Sequence, residues 1–276
     1  MISGTTTLIP HLGFPTHTFQ SSLICNPWFA KRGIDAAVVP FGVRADDFRE
    51  VFPTTFRLSN VRGALVTMPH KVAAMSLVDE VSPTAAIAGA TNAVLQREDG
   101  SLLAEQFDGA GFVRGMLRRG FDPAGRRGLI VGCGGVGSAI AASLAGHGVG
   151  ELALFDPVAG LSDSLARRVT EHYPRISVVG GSQDPAGFDF VVNATPLGMR
   201  DGDRLPVDVT RLRRGAYVGD VILGTDLTPL LQAARDRGCE VQFGSDMLFE
   251  LVPAYLEFFG YPGATPEELR ELAAAR

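Results

Sequence analysis

The chain has 276 residues, 46% hydrophobic and 20% charged, with a formal net charge of −5. That is a folded, globular composition with room for two modest domains, and its charge offers no footprint for nucleic acid or an anionic membrane. No apolar run reaches the roughly 18–20 residues that span a bilayer, and no basic-then-apolar leader opens the chain. Cys25, Cys133 and Cys239 are widely spaced and odd in number, which reads as reduced cytoplasmic thiols rather than a disulfide frame. The histidines make no metal-ligand spacing with each other or with the cysteines, so no metal is expected.

In chain order, the first hundred residues alternate short apolar runs with helical segments. TTTLI (5–9), AAVVP (36–40) and GALVT (63–67) read as strands, and SSLICNPWFAKRG (21–33) and ADDFREVF (45–52) as helices between them. AVLQ and SLLAEQ, split by a turn at Asp99-Gly100, read as a hairpin. GAGFVRGMLRR (109–119) is helical, and the Pro- and Gly-rich FDPAGRRG punctuates the chain after it.

From there the texture changes. RGLIVG (127–132), ELALFD (151–156), ISVVG (176–180), FDFVVNAT (188–195) and AYVGDVIL (216–223) are apolar runs, most of them separated by helical stretches. That is the pattern of βαβ units and a parallel sheet buried on both faces. SDMLFELVPAYLEFFG (245–260) and TPEELRELAAA (265–275) read as helices, the second opened by an N-cap Thr265 and a first-turn proline.

The run RGLIVGCGGVGSAI places Gly132, Gly134 and Gly137 at G-x-G-x-x-G spacing, with Gly135 and Val136 between the last two. The motif follows a strand and opens a helix, the context a dinucleotide-binding loop needs. The first glycine makes the turn, the second admits the pyrophosphate, and the third lets helix and strand pack closely. Asp156 closes the next strand 24 residues after Gly132, where a carboxylate accepts from the ribose hydroxyls of NAD and repels a 2′-phosphate. No Arg or Lys follows until Arg167, so NAD is favoured over NADP. A cap on the turn before Pro157 is the other reading of Asp156.

Six motifs in one order resemble the shikimate/quinate dehydrogenase family across nearly the whole chain. They are GFPTHTFQSSLICN (13–26), GALVTMPHK (63–71), GATNAV (89–94), EQFDGAGF (105–112), NATPLGM (193–199) and GSDMLFELV (244–252). The resemblance implies two α/β domains. One is a substrate-binding domain over 1–107 plus 246–276. The other is a Rossmann-type, doubly wound dinucleotide-binding domain over 108–245. It implies that Lys71 is the catalytic lysine, Asp108 its partner, and Asn92 a substrate-orienting residue. Ser21 and Thr67 would contact the substrate. Asn193, Thr195 and Met199 would line the nicotinamide side of the cofactor, with Met247 packed near it; from the residues alone, a strand-end turn and a core methionine fit them as well. A lysine paired with a carboxylate in a closed cleft accepts the hydroxyl proton as hydride leaves for the nicotinamide. From residue types alone, a structural ion pair at a domain boundary also fits Lys71 and Asp108.

The departures from the pattern fall in one place. Where the family has the first of two carboxylate-holding serines, this chain has Phe19. The pattern's His falls at Thr18, an Asn at Leu65, two Thr at Ala93 and Phe107, a ring-contacting Gln at Leu251 and a Tyr at Leu223. Phe19 and Leu251 therefore line a more hydrophobic pocket. The expected activity is an NAD(P)-dependent alcohol dehydrogenase acting on a cyclic hydroxy acid less hydroxylated than shikimate. A dehydrogenase for an unrelated substrate and a non-enzymatic dinucleotide sensor are the alternatives, the second opposed by the intact Lys71, Asn92 and Asp108. The expected partner is a small molecule, in a monomer or homodimer.

Overall fold

The computed structural model describes residues 2–223 and 227–275. The chain divides into two compact units, Met1–Phe107 with Leu251–Arg276, and Asp108–Glu250.

In the first unit, β1 (Thr7–Gly13), helix α1 (Ser21–Arg32), β2 (Ala36–Gly42), α2 (Phe48–Thr55) and β3 (Gly63–Val66) come first. They are followed by β4 (Glu80–Val81), α3 (Pro83–Ala88), β5 (Ala93–Gln96) and β6 (Leu102–Glu105). The six strands form one sheet in the order β2-β1-β3-β5-β6-β4. β1 lies parallel to β2 and β3, while β5 lies antiparallel to β3 and β6. The β5–β6 hairpin turns at Asp99-Gly100: Asp99 accepts from the Ser101 N–H at 2.9 Å, and Gly100 takes φ +87°. β1 runs four residues beyond the predicted TTTLI, because its register with β2 continues unbroken through His11↔Pro40 to Gly13↔Gly42. Leu12, Val66, Ala64 and Val94 pack with Phe48 and Phe52 of α2 and with Phe56 just past its end, which close that side of the core.

The second unit contains α4 (Asp108–Arg118), β7 (Arg127–Val131), α5 (Gly135–Gly146), β8 (Glu151–Phe155), α6 (Leu161–His172) and β9 (Ser177–Gly180). β10 (Phe190–Asn193), β11 (Tyr217–Asp220), α7 (Pro229–Asp236) and β12 (Glu240–Gln242) complete it. These six strands pair only in parallel, in the order β12-β11-β10-β7-β8-β9. Strand order reverses between β7 and β10, and a doubly wound sheet binds its ligand at the carboxyl ends of the strands there.

α8 (Gly244–Phe258) and α9 (Pro266–Ala274) end the chain. Thr265 caps α9 by accepting from the Glu268 N–H at 3.3 Å, with Pro266 at the first position. The Glu268 carboxylate then accepts from Trp28 Nε1 at 3.0 Å and pairs with Lys31 and Arg32, each at 2.9 Å, tying α9 to α1. Those donors, Arg32 first, hold its pKa down at about 2. A folded-state pKa below the unfolded value means the unfolded chain binds the proton more readily, so this stabilisation is present above about pH 4.5 and is lost as pH falls through about 2. Fluorescence melts of Trp28, the only tryptophan, are expected to show Glu268→Gln less stable than the parent at pH 7. The gap should close on acidification through that window. A gap constant down to pH 2 would refute the account.

Candidate active site

In the first unit Thr67, Lys71 and Asn92 gather at the carboxyl end of β3. β5 runs antiparallel to β3, so its amino end, just after Asn92, lies at the same edge. The Asn92 carbonyl accepts from the Val66 N–H at 2.9 Å, and the Thr91 N–H donates to the Lys71 carbonyl at 2.9 Å. Lys71 is thereby held beside Asn92, although 20 residues separate them in sequence. Asn92 is 1% exposed, and its Oδ1 accepts from the Phe107 N–H at 3.0 Å, so its side chain is fixed. Thr67 directly follows β3, and the loops after the two strands are joined where the Phe14 N–H donates to the Met68 carbonyl at 2.9 Å. The Phe14–Pro15 and Met68–Pro69 peptides are both cis. Ser21, the first residue of α1, is buried, as are Phe19 and Leu251.

His70, beside the lysine, looks in the sequence like a polar loop residue. It is instead 2% exposed, stacked on Phe48 at 4.0 Å with an interplanar angle of 4°, and bonded through Nε2 to the Val43 carbonyl at 2.8 Å. That side chain anchors the loop from below.

In the second unit the glycine loop has the shape its spacing implies. Gly132 takes φ +103°, and a Cβ there would lie 2.6 Å from the Ala194 carbonyl oxygen. A Cβ on Gly137 would lie 1.9 Å from the Gly132 carbonyl oxygen, so helix and strand touch backbone to backbone. At Gly134, the N-cap of α5, nothing lies within 4 Å of the Cβ position, leaving the helix terminus open to an anion. These features fit a dinucleotide, and Gly134, Gly135 and Val136 would present backbone to its pyrophosphate. Asp156 accepts from the Cys133 N–H at 2.8 Å through Oδ2 and from the Val158 N–H at 2.8 Å through Oδ1. It therefore caps its own turn and fixes a carboxylate against the loop, and the two readings of that residue are compatible. Arg168 on α6 donates to Ser164 Oγ at 2.9 Å.

The NATPLGM turn closes on itself. Asn193 donates to the Leu197 carbonyl and to Asp220 Oδ1, each at 3.1 Å, and its Oδ1 accepts from Thr195 Oγ1 at 2.6 Å. Asp220 is fully buried, accepts from Thr228 Oγ1 at 2.8 Å, and has its pKa raised by burial against the pull of these hydrogen bonds. Asn193 thus shapes the turn, with Asp220 and Thr228 behind it, two residues the motif reading missed. Their signal in the sequence was a carboxylate ending the apolar run AYVGD and a Thr-Pro helix start. Met199 is 60% exposed and, with Gly198, Ile222, Leu223 and Pro229, lines an open cleft of about 520 Å³. Met247 is buried in the first turn of α8. Asp108 is buried at the start of α4.

Residues 12–94 match the model of the shikimate dehydrogenase substrate-binding domain. The shikimate dehydrogenase (NADP(+)) of Rubrobacter xylanophilus is 37% identical over 251 residues, covering 90% of this chain and 88% of that one. The chain belongs to the shikimate dehydrogenase family. Among solved structures it resembles shikimate 5-dehydrogenase of Listeria monocytogenes in complex with shikimate and NAD (TM-score 0.90, 27% identity, 98% and 97% of the two chains). It also resembles quinate dehydrogenase of Corynebacterium glutamicum in complex with NAD (TM-score 0.88, 29% identity, 98% and 99%). Shikimate dehydrogenases are NAD(P)-dependent oxidoreductases acting on CH–OH groups, and membership places this chain in that class. Among the described residues no helix is long and apolar enough to cross a membrane, and no cluster of His, Cys, Asp or Glu is suited to a metal.

Proposed function

We propose that this shikimate dehydrogenase homologue interconverts a secondary alcohol and a ketone on a cyclic hydroxy acid less hydroxylated than shikimate, with NAD preferred. The observation that carries the reading is the gathering of Thr67, Lys71 and Asn92 at one strand edge of the first unit. A bound dinucleotide supplies the hydride acceptor. Lys71 Nζ takes the hydroxyl proton as the C–H electron pair leaves with hydride, Asp108 serves as its carboxylate partner, and Asn92 orients the substrate. Ser21 and Thr67 hold polar groups of the substrate.

The substrate preference rests on Phe19, Leu65 and Leu251, buried to 7%, 2% and 3% exposure. None can hydrogen-bond a ring hydroxyl or carboxylate. Each such bond missing costs about 0.5–1.5 kcal/mol, so several together lower shikimate affinity by orders of magnitude. The preference for NAD rests on the Asp156 carboxylate fixed at the glycine loop, which repels a 2′-phosphate.

The test is absorbance of reduced nicotinamide with NAD+ or NADP+ and shikimate, quinate or 3-hydroxycyclohexane-1-carboxylate. We expect NAD+ to give the higher kcat/KM and the least hydroxylated acid to exceed shikimate. Efficient use of shikimate at micromolar concentration would refute the altered specificity, and a preference for NADP+ would refute the role given to Asp156.

A further inference from the structure

We propose that His11 is a specificity-determining residue whose imidazole donates a hydrogen bond, from Nε2, to an oxygen of the bound hydroxy acid. The inference rests on the function proposed above, and it concerns a residue outside all six motif matches to the family that bear on substrate and cofactor.

His11 lies on β1 directly opposite Leu65 of β3. Side chains two apart on a strand share a face, so His11 and Gly13 point the same way, as do Leu65 and Thr67. A Cβ on Gly13 would meet Thr67 Cγ2 at 2.4 Å and Phe19 Cζ at 2.9 Å, which places those side chains on that face too. The His11 ring stacks on Phe19 at 4.2 Å with an interplanar angle of 28°. Phe19 stands where the family pattern has a carboxylate-holding serine, and Leu65 where it has an asparagine. An imidazole thus sits between the two positions that have lost their polar groups.

The ring is 8% exposed, and its Nδ1 is buried with no hydrogen-bond partner. Burial first, and the Lys71 charge second, depress the imidazole pKa to about 3, so the ring is neutral at physiological pH and lies within electrostatic reach of the proposed catalytic lysine. A neutral imidazole carries one N–H. Orphaned buried N–H groups are rarer than unused acceptors, which puts the proton on Nε2 and makes that nitrogen the donor. A ligand oxygen at Nε2 would give the ring a polar partner.

His11→Leu tests this, because leucine keeps the bulk and removes the donor. With whichever of the three acids above has the highest kcat/KM, KM for the acid should rise by up to about 12-fold, and by at least about fivefold. Neither kcat nor KM for NAD+ should change by more than about threefold, as expected when binding common to ground and transition states is lost. His11→Asn, which retains an N–H donor, should recover part of the loss. Should the leucine variant fail to fold, 15N NMR of the parent's imidazole decides: the Nε2 resonance should move when that acid is added. An unchanged KM in a folded variant, or an unmoved resonance, overturns the role of His11 and leaves the dehydrogenase reading standing. Absence of turnover by the parent protein with all three acids overturns both.

Discussion

Lys71→Ala is expected to lower kcat/KM for the hydroxy acid by about 10²- to 10⁴-fold, the range for loss of a positioned acid–base group. The dissociation constant for NAD+ should stay within about twofold, because the glycine loop that fits the pyrophosphate lies in the other unit. The fold should survive. The Lys71 loop is held by backbone, through Thr91 N–H to the Lys71 carbonyl at 2.9 Å, and by the buried, stacked His70 next to it, neither of which needs the lysine side chain. Steady-state rates, a dinucleotide titration and a melt on one preparation separate the possibilities. Activity within about tenfold of the parent would remove Lys71 from the chemistry. Loss of NAD+ binding together with activity would mark it as a structural residue.

Gly109→Ala is expected to destabilise the second unit. A Cβ at Gly109 would lie 2.0 Å from the Ala139 carbonyl oxygen and 2.4 Å from Ser143 Oγ, so α4 meets α5 with no room for a side chain. Helix propensity alone favours alanine by roughly 0.5–1 kcal/mol, so a net loss would isolate the steric conflict. Overpacking against backbone costs about 1–3 kcal/mol, a fall in Tm of roughly 2–12 °C at about 2–4 °C per kcal/mol. Asp108 precedes Gly109 in the same first turn of α4, so whatever moves the helix moves the proposed partner of Lys71. Turnover measured well below the variant's Tm should therefore fall further than the unfolded fraction explains. A melt within a degree or two of the parent would show that the two helices separate at little cost.

Much of this protein is legible in its sequence, because the relevant signals are local. Apolar runs separated by helical stretches announce the parallel sheet of the second unit, and a strand, G-x-G-x-x-G and a helix in succession announce its loop, where Gly132 takes φ +103° and Gly137 lies against the Gly132 carbonyl five residues before it. Asp99-Gly100 fixes the hairpin for the same reason. The ordered motifs carry the family, and the apolar residues Phe19, Leu65 and Leu251, standing at positions the family pattern fills with polar ones, are the sequence basis of the proposed change in substrate.

What the sequence left open depends on which distant segments touch. His70 and His11 look alike as isolated histidines. Only the fold stacks one on Phe48 with a satisfied Nε2, and sets the other between Phe19 and Leu65 with Nδ1 unpaired. The extra length of β1 comes from pairing with β2 across some thirty residues, and the requirement for glycine at 109 from a helix that begins at 135. Asp220 reads as a strand-end acid until Asn193 and Thr228 arrive to bond it. Periodicity and turn chemistry are set by neighbours in the chain, so sequence alone determined most of the longer elements, the turn of the glycine loop and the family, but not the short β4, α3 and β12. Burial and hydrogen-bond satisfaction belong to pairs brought together by folding, and so only the tertiary structure decided that His70 is an anchor and that His11 still lacks a partner at Nδ1.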